Sequence, residues 1–387
     1  MTKESVLSEY QQRFAAWFGC GTAFAFWKGR VALYAILKAA GVGQADEVIL
    51  PGYTCVMNVN PIKYLGAKPV YVDIEPRTFN INPGLLAKKI TGRTKAIIAQ
   101  HTYGYTCDMD AVMDIAGRKG LMVIEDCCLA LGSRYKGKLA GTFGKASYFS
   151  SQWNKPYTTG LGGMALVNHK ALSEKVEELV RNEARWPEFA EVIMLWAQLC
   201  AYRMLVYPRT TALVQNVFRR LARRGAVLGS STQQEFQPVM PADFFKRISP
   251  MQARSGLRQL KMLDENVANR EAMAQLYDKL LGEKGWRVRE FDKSVMRPVM
   301  VRYPVRVTEK AGALAEAAKA GVELGSWFEC PLHPKETPME IYDYKIGMCP
   351  EAEKASAQVV NLPLHPRTNK LTIHRTVEFI TRFQQAV

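Results

Sequence analysis

One lysine, Lys155, is distinguished by its surroundings in the stretch YFSSQWNKPYTTGLGGMALVN, residues 148–168. Hydroxyl and aromatic side chains precede it, and a glycine-rich turn, residues 160–163, follows it. A lysine in a loop is ordinarily a solvated cation. Partial burial in such surroundings lowers the pKa of the amine and makes it nucleophilic. The stretch therefore suggests a reactive lysine, with a solvated surface lysine as the alternative.

The segments before Lys155 alternate between helical and extended patterns. Short apolar or β-branched runs such as KPVYVDI, TKAIIAQH and LMVIEDC are separated by segments of helical spacing such as GRVALYAILKAAGV. This alternation predicts a mainly parallel sheet with helices on both faces. Active groups in such sheets gather just beyond the carboxyl ends of the strands. The predicted strand ends carry Tyr53, His101, Asp126 and, a few residues further on, Lys155.

A second predicted feature is an anion site at the start of a helix. In FWKGRVALYAIL, Gly29 and Arg30 lie at the beginning of an amphipathic helix. The first backbone N–H groups of a helix and the positive end of its dipole favour an anion there. We therefore expect a phosphate group to bind beside these two residues.

Composition limits the class of protein. The chain has 387 residues, of which 48% are hydrophobic and 23% charged, as in ordinary globular proteins with room for two domains. Its eight cysteines form no CxxC pair or zinc pattern, so no metal site is predicted and a reducing cytoplasm fits best. The net charge of +16 is accompanied by no nucleic-acid-binding signature, which argues against nucleic acid. The N-terminus has no apolar core of a signal peptide and is expected to form an amphipathic or loosely docked segment.

Several motifs follow one another in a specific order. They are GRVAL, DEVILPGYTC, GAKPVYVDIEPRTFNI, TKAIIAQHTYG, VIEDCCLALGSRYKGKLAGTFG and YFSSQWNK, with ISPMQARSGLRQL and LPLHP later in the chain. This order resembles the DegT/DnrJ/EryC1/StrS sugar aminotransferase family over most of the sequence. The resemblance implies pyridoxal phosphate as cofactor and the aspartate aminotransferase-like fold type I, an α/β fold. It implies a large domain over 1–240, with a basic amphipathic insertion at about 186–230, and a smaller α+β domain over 241–387.

The resemblance also assigns roles to particular residues. Lys155 takes the place of the lysine that forms a Schiff base with the cofactor, a linkage that needs an unprotonated amine. Asp126 takes the place of the carboxylate that keeps the pyridine nitrogen protonated. The cofactor's phosphate is expected at four residues, with Ser151 as a neighbour: Lys28, Gly29, Arg30 and Ser150.

Three positions depart from the family pattern. Leu129 stands where a ring-facing glutamine or histidine is usual, and Cys55 stands where an aromatic residue commonly stacks on the ring, which leaves Tyr53 as a substitute. Phe245 stands where an asparagine commonly reaches the partner subunit's phosphate site. We expect the guanidinium of Arg30 to compensate for that lost contact, because guanidinium suits phosphate.

The histidines are ambiguous from sequence. His101 is either close to the cofactor ring or a structural hydrogen-bonding residue, and the sequence does not decide between them. His333 and His365 are expected in proline-shaped turns of the small domain.

The middle of the chain is unusually basic. Between Glu191 and Glu235 there is no acidic residue but there are six arginines, and the segment VIMLWAQLCAY carries no charge. Eleven residues are too few to span a bilayer. The segment therefore either packs against a partner subunit, which we favour, or lies on an anionic membrane surface.

Together these features predict a cytoplasmic, homodimeric aminotransferase. It would move an amino group from an amino acid, expected to be glutamate, to a keto group on a nucleotide-linked sugar. One alternative is a lipid-linked or hydrophobic acceptor, reached through peripheral contact of residues 190–228 with the inner membrane surface. Others are a non-catalytic binding or regulatory protein, and a sugar dehydratase, against which Lys155 argues because such relatives carry histidine there.

Overall fold

The fold is described from a computed structural model. It covers residues 2–153, 155–205, 221, 227–229, 231, 233–289, 291–365 and 367–384. The strands are β1 (Thr22–Phe26), β2 (Glu47–Pro51), β3 (Thr54–Cys55), β4 (Lys68–Val72), β5 (Thr94–Gln100), β6 (Met122–Asp126), β7 (Arg134–Tyr135), β8 (Lys138–Leu139), β9 (Ala146–Ser150), β10 (Gly163–Val167), β11 (Met296–Arg297), β12 (Arg302–Arg306), β13 (Leu332–His333) and β14 (Val359–Pro363).

The described α-helices connect and cover these strands. They are α1 (Lys3–Phe18), α2 (Gly29–Ala39), α3 (Val56–Tyr64), α4 (Pro83–Lys89), α5 (Met109–Lys119), α6 (Lys170–Glu183), α7 (Phe189–Leu205), α8 (Pro250–Leu260), α9 (Leu263–Glu283), α10 (Lys310–Ala320), α11 (Pro350–Gln358) and α12 (Lys370–Ile380).

A seven-stranded sheet forms the centre of the molecule, in the order β1-β10-β9-β6-β5-β2-β4. Its strands run in one direction except β10, which is antiparallel to both of its neighbours. The predicted, mainly parallel α/β sheet is therefore confirmed. Asp126 at the end of β6 pairs with Gln100 on one side and Tyr148 on the other, so the carboxyl ends of β5, β6 and β9 meet at one edge.

Helix α2 lies against the sheet and is buried along most of its length. It packs on β9 and β10 and on α3. Its first residue follows Lys28, whose backbone is extended and whose side chain does not cap the helix. The N-cap side chain thus leaves the N–H groups at the start of α2 uncapped.

The N-terminal segment forms helix α1 and is firmly docked. Val6, Leu7, Tyr10 and Phe14 are buried against α8 and β1. The Tyr10 hydroxyl shares a hydrogen bond of 3.0 Å with the Tyr157 hydroxyl, two residues beyond Lys155. The expected amphipathic segment is therefore a helix of the core, not a loosely docked one.

The C-terminal part adds a small antiparallel sheet of β12 and β14. Helix α10 packs on β14, and α9 packs on α12. Strand β13 pairs in parallel with β3, with His333 opposite Cys55, and so joins the C-terminal part to the edge where the predicted site lies. The domain division near residue 240 stays a prediction.

Candidate active site

Lys155 is buried in the loop that follows β9, which excludes a solvated surface lysine. Its side-chain nitrogen lies 5.1 Å from the ring centroid of Trp327. Burial lowers the pKa of the Lys155 amine, and it outweighs the negative charge of Asp126, which acts in the opposite direction. A larger fraction of the amine is therefore unprotonated, and nucleophilic, than in a surface lysine.

Asp126 is buried at the end of β6 and is held by two hydrogen bonds. The side-chain amide of Asn58 donates to its Oδ2 at 2.7 Å, and the backbone N–H of Cys128 donates to its Oδ1 at 2.9 Å. Asn58 is itself fixed by donating to the Thr54 hydroxyl at 3.0 Å. Each oxygen keeps a further lone pair, so the carboxylate can also accept a hydrogen bond from a protonated ring nitrogen.

The start of α2 forms a cradle against the end of β9. A Cβ added to Gly29 would lie 3.2 Å from the Cβ of Ser150, so a larger residue would crowd the serine. A Cβ added to Gly163 would overlap the backbone of Lys28 and Gly29. The glycine-rich turn after Lys155 is thus needed for the close approach of β10 to this helix start.

Lys28 and Arg30 converge on one carboxylate, that of Glu235. The Lys28 side chain donates to Glu235 Oε2 at 3.0 Å, and Arg30 Nη1 donates to Oε1 at 2.6 Å. Arg30 is 8% and Glu235 2% exposed, so this is a largely buried ion-paired group. Because a carboxylate already binds both cations, the cradle is chemically suited to an anion.

Two predicted site residues, Tyr53 and His101, form hydrogen bonds outside the group of Lys155, Asp126 and the cradle. The Tyr53 hydroxyl shares a hydrogen bond of 2.8 Å with that of Tyr103, and its ring packs edge-on against Phe328 at 5.0 Å. His101 accepts from the backbone N–H of Cys107 at 3.0 Å through Nδ1, so its Nε2 carries the proton and donates to Glu125 at 3.0 Å. Glu125 and Asp126 are neighbours in a strand, so His101 lies on the sheet face opposite Asp126.

The three positions that depart from the family pattern differ in location. Cys55 is close enough to Lys155, Asp126 and Arg30 for their charges to act on its thiol, although burial is the largest effect and raises its pKa. Leu129 is buried in the main hydrophobic core. Phe245 stacks on Phe26 with ring centroids 5.9 Å apart, inside its own chain.

The two C-terminal histidines also differ. His333 lies beside the site, because it pairs with Cys55 and its ring is 5.6 Å from that of Phe328. Burial lowers the pKa of His333 to about 4, so the ring is neutral at neutral pH. His365 accepts from the N–H of Arg367 at 3.2 Å through Nδ1, so its Nε2 donates to Glu323 at 3.0 Å.

Three buried residues could together bind a metal ion, because their ligand atoms lie within 4.8 Å of one another: His101, Glu125 and Cys127. The Glu125 carboxylate accepts from the backbone N–H groups of Gly141, Phe143 and Gly144 at 2.7–2.8 Å, besides His101. These hydrogen bonds account for the burial of the carboxylate without a metal ion.

Sequence reasoning missed four residues around Lys155 and the anion cradle. Asn58 orients Asp126, Glu235 binds the cradle cations, and Trp327 lies beside Lys155. Arg302 lies 5.5 Å from the same Trp327 ring, and its charge adds to burial in lowering the pKa of Lys155. Each is far in sequence from the residue that it contacts, so no local pattern indicated it.

These residues fit pyridoxal phosphate, and with the mainly parallel sheet they define a fold type I protein that binds this cofactor. The cradle suits its phosphate, Asp126 can accept from its ring nitrogen, and the Lys155 amine can react with its aldehyde. The model of the DegT/DnrJ/EryC1/StrS aminotransferase family matches residues 1–204 and 210–381. The chain belongs to this family and is a pyridoxal-phosphate-dependent aminotransferase.

Individual relatives and one solved structure agree with this assignment. GDP-perosamine synthase of Caulobacter vibrioides is 32% identical over 377 residues, covering 95% of this chain and 87% of that protein. UDP-2-acetamido-2-deoxy-3-oxo-D-glucuronate aminotransferase of Pseudomonas aeruginosa is 30% identical over 370 residues, covering 95% and 88%. The structure of the aminotransferase from Psychrobacter cryohalolentis superposes with a TM-score of 0.75 at 25% identity, covering 97% of this chain and 90% of that one. The predicted family, fold type and cofactor are confirmed.

Arg30→Ala is expected to weaken retention of pyridoxal phosphate by about tenfold or more, because it removes a buried guanidinium from the cradle. Ser151→Ala is expected to have little effect, since the Ser151 hydroxyl bonds Thr159 at 2.8 Å. Glu235→Gln should tighten retention, because it leaves the two cations without their carboxylate. Cofactor content after dialysis measures all three, with thermal melting of the apoprotein as a control for folding. Equal retention by Arg30→Ala and Ser151→Ala would contradict the assignment.

Asp126→Asn is expected to shift the titration of Lys155 to lower pH in the apoprotein. The negative charge of Asp126 favours the ammonium form and raises the pKa of the Lys155 amine. Without that charge, burial lowers the pKa of the amine further. Amine labelling as a function of pH, followed by mass spectrometry of the Lys155 peptide, gives the midpoint. Lys119, an exposed lysine, is the internal reference and should not move. A shift of Lys155 to higher pH would refute the proposed proximity of the two charges.

Proposed function

We propose that the protein transfers an amino group from an amino acid, expected to be glutamate, to the keto group of a nucleotide-linked sugar. The observation that carries this proposal is the buried Lys155 amine, with its lowered pKa, beside the hydrogen-bonded carboxylate of Asp126. The names of the Caulobacter and Pseudomonas relatives both refer to nucleotide-linked sugars, which supports the class of acceptor.

Each residue of the site has a separate role in the proposed reaction. Lys155 is the reactive amine and, in its unprotonated form, accepts the proton that leaves the substrate carbon. Asp126 accepts a hydrogen bond from the ring nitrogen of the cofactor and keeps that nitrogen protonated. Lys28, Gly29, Arg30 and Ser150 hold the phosphate at the start of α2. When bound, pyridoxal phosphate supplies an electron sink for the carbon that loses its proton.

Arg302 is proposed to bind an anionic group of the substrates. Its guanidinium and the Lys155 amine lie over the same Trp327 ring, at 5.5 and 5.1 Å from the centroid. A guanidinium there suits the carboxylate of an amino-acid donor or the diphosphate of a nucleotide-linked acceptor. The indole ring provides an apolar surface beside the amine.

The homodimer is proposed from the exposed apolar face of α7. Phe189, Trp196 and Met204 are 81%, 51% and 63% exposed, while Leu195 and Leu199 are buried on the other side of the helix. Tyr202 also turns inward, since its hydroxyl donates to the Trp153 carbonyl at 3.1 Å. None of the described helices is long and apolar enough to cross a membrane. Most of the arginine-rich part of the insertion lies outside the described residues.

Lys155→Ala is expected to abolish covalent attachment of the cofactor and the transfer activity. The purified wild-type protein should be yellow, and borohydride reduction should bleach the band and fix the cofactor on the Lys155 peptide, as mass spectrometry can show. Added glutamate should change the spectrum of the wild-type protein and not that of the variant. A colourless wild-type protein that takes up no added cofactor would refute the proposal.

Replacing Phe189, Trp196 and Met204 together by serine is expected to raise the dissociation constant of the dimer by about tenfold or more, because the three side chains share one exposed face. Analytical ultracentrifugation measures the constant, and co-sedimentation with anionic liposomes is measured in parallel. Leu371→Ser, at another exposed apolar residue, is the control. Lost liposome binding with an unchanged dimer would instead favour the membrane alternative and a lipid-linked acceptor.

A further inference from the structure

A large cleft lies away from Lys155, between α9, the segment that follows it and the edge of β12. Its volume is about 1540 Å³, and Tyr105 of the N-terminal part forms one wall. We call it the arginine cleft, because seven of its described lining residues are lysine or arginine. No step of the proposed reaction uses it.

The positive charge of the arginine cleft is poorly balanced. Among the described lining residues, the carboxylates are Glu271 and Asp278. The Glu271 carboxylate forms an ion pair with Arg297, which donates to it at 2.6 Å. Asp278 accepts from the Tyr303 hydroxyl at 2.6 Å, and burial raises its pKa. Neither carboxylate neutralises the arginines deeper in the cleft.

Two of these arginines, Arg289 and Arg306, lie over the same aromatic ring, that of Phe79. Their guanidinium carbons are 4.7 and 5.3 Å from the ring centroid of Phe79. Arg289 donates to the Pro304 carbonyl at 3.1 Å, and Arg306 donates to the Gln358 side chain at 2.8 Å and the Pro76 carbonyl at 3.2 Å. In the described part of the chain neither forms an ion pair. Burial, and then the charge of Arg289, lowers the pKa of Arg306, as expected for two adjacent cations.

Phe79 itself is held in an unusual backbone conformation. Its φ is 61°, in the left-handed region that bulky residues rarely adopt. The turn is fixed by backbone hydrogen bonds of 2.9 Å from Phe79 to Glu75 and from Glu75 to Asn80. A strained residue persists where the surrounding structure requires its placement. Here the strained turn places the ring centroid 4.7 and 5.3 Å from the two guanidinium carbons.

The aromatic residues also separate the arginine cleft from Lys155. On its other side Phe79 contacts Tyr53 and Tyr103, with ring centroids 5.9 and 5.4 Å away. Tyr53 in turn contacts Phe328, the neighbour of Trp327. A chain of three contacting rings, Phe79, Tyr53 and Phe328, therefore leads from the two arginines to the Trp327 ring beside the reactive amine.

We infer that the arginine cleft is a second binding site, for a ligand that carries a diphosphate group, free or attached to a nucleoside. Arg289 and Arg306 bind the phosphate oxygens, since each guanidinium has five N–H donors and the contacts above use a minority of them. An anion also removes the repulsion between the two cations. Trp286 and Phe291 line the cleft and offer aromatic surfaces for a nucleobase.

The test is isothermal titration of the full, cofactor-loaded protein with inorganic pyrophosphate, GDP and guanosine. Arg289→Gln with Arg306→Gln is expected to weaken binding of pyrophosphate and GDP by about tenfold or more. Lys119→Gln with Lys319→Gln removes the same charge from exposed helix ends and should bind as the wild type does. Absorbance of the bound cofactor and thermal melting report on the Lys155 site and on folding.

A variant at exposed residues provides a control for misfolding caused by changing the half-buried Arg289 and Arg306. Arg287→Gln with Lys293→Gln changes two exposed lining residues and should weaken binding about threefold. GDP binding about tenfold more tightly than pyrophosphate identifies a nucleotide ligand, and equal binding identifies the diphosphate alone. The inference is overturned if wild-type protein binds neither pyrophosphate nor GDP at millimolar concentration. It is also overturned if Arg289→Gln with Arg306→Gln binds pyrophosphate and GDP as the wild type does, because the ligand then lies outside the arginine cleft.

Discussion

The proposed site depends on holding a neutral amine and a charged carboxylate in one buried space. In the proposed reaction Lys155 has to be available without its proton, whereas Asp126 has to remain a carboxylate. Burial alone disfavours the charged form of both groups. The hydrogen bonds from Asn58 and from the backbone N–H of Cys128 stabilise the carboxylate, and burial dominates at the amine. The same low-dielectric space therefore acts differently on the two groups because their hydrogen-bond partners differ.

The pleat of β6 explains how adjacent carboxylates acquire separate roles. Glu125 points to the face of the sheet where it binds His101 and three backbone N–H groups of residues 141–144. Asp126 points to the other face, towards Asn58 and the site. A shift of one residue in the register of β6 would exchange the two side chains. Glu125 resists this shift, because its partners lie in a loop on one face alone.

The sequence was informative where the signal is local. Apolar runs and a glycine-rich turn located the strand ends and the start of α2, and thus Asp126, Lys155 and Gly29. It was uninformative about Glu235, which lies 205 residues after the arginine that it binds. Trp327 is equally remote from Lys155. Such contacts arise from the packing of distant segments, and neither periodicity nor turn chemistry encodes them. The roles of the individual site residues and the domain division stay predictions.

Glu235, which follows the predicted insertion, binds both cations of the proposed cofactor cradle. Lys28 and Arg30 are largely buried, and two buried cations without a counterion would destabilise the apoprotein. Glu235 supplies that counterion, and the Asn60 side chain fixes its backbone by donating to its carbonyl at 2.7 Å. A phosphate group carries more charge than a carboxylate and can also accept from the N–H groups at the start of α2. We propose that it competes with Glu235 for both cations, in which case cofactor affinity depends on the segment that carries this carboxylate as well as on the cradle itself.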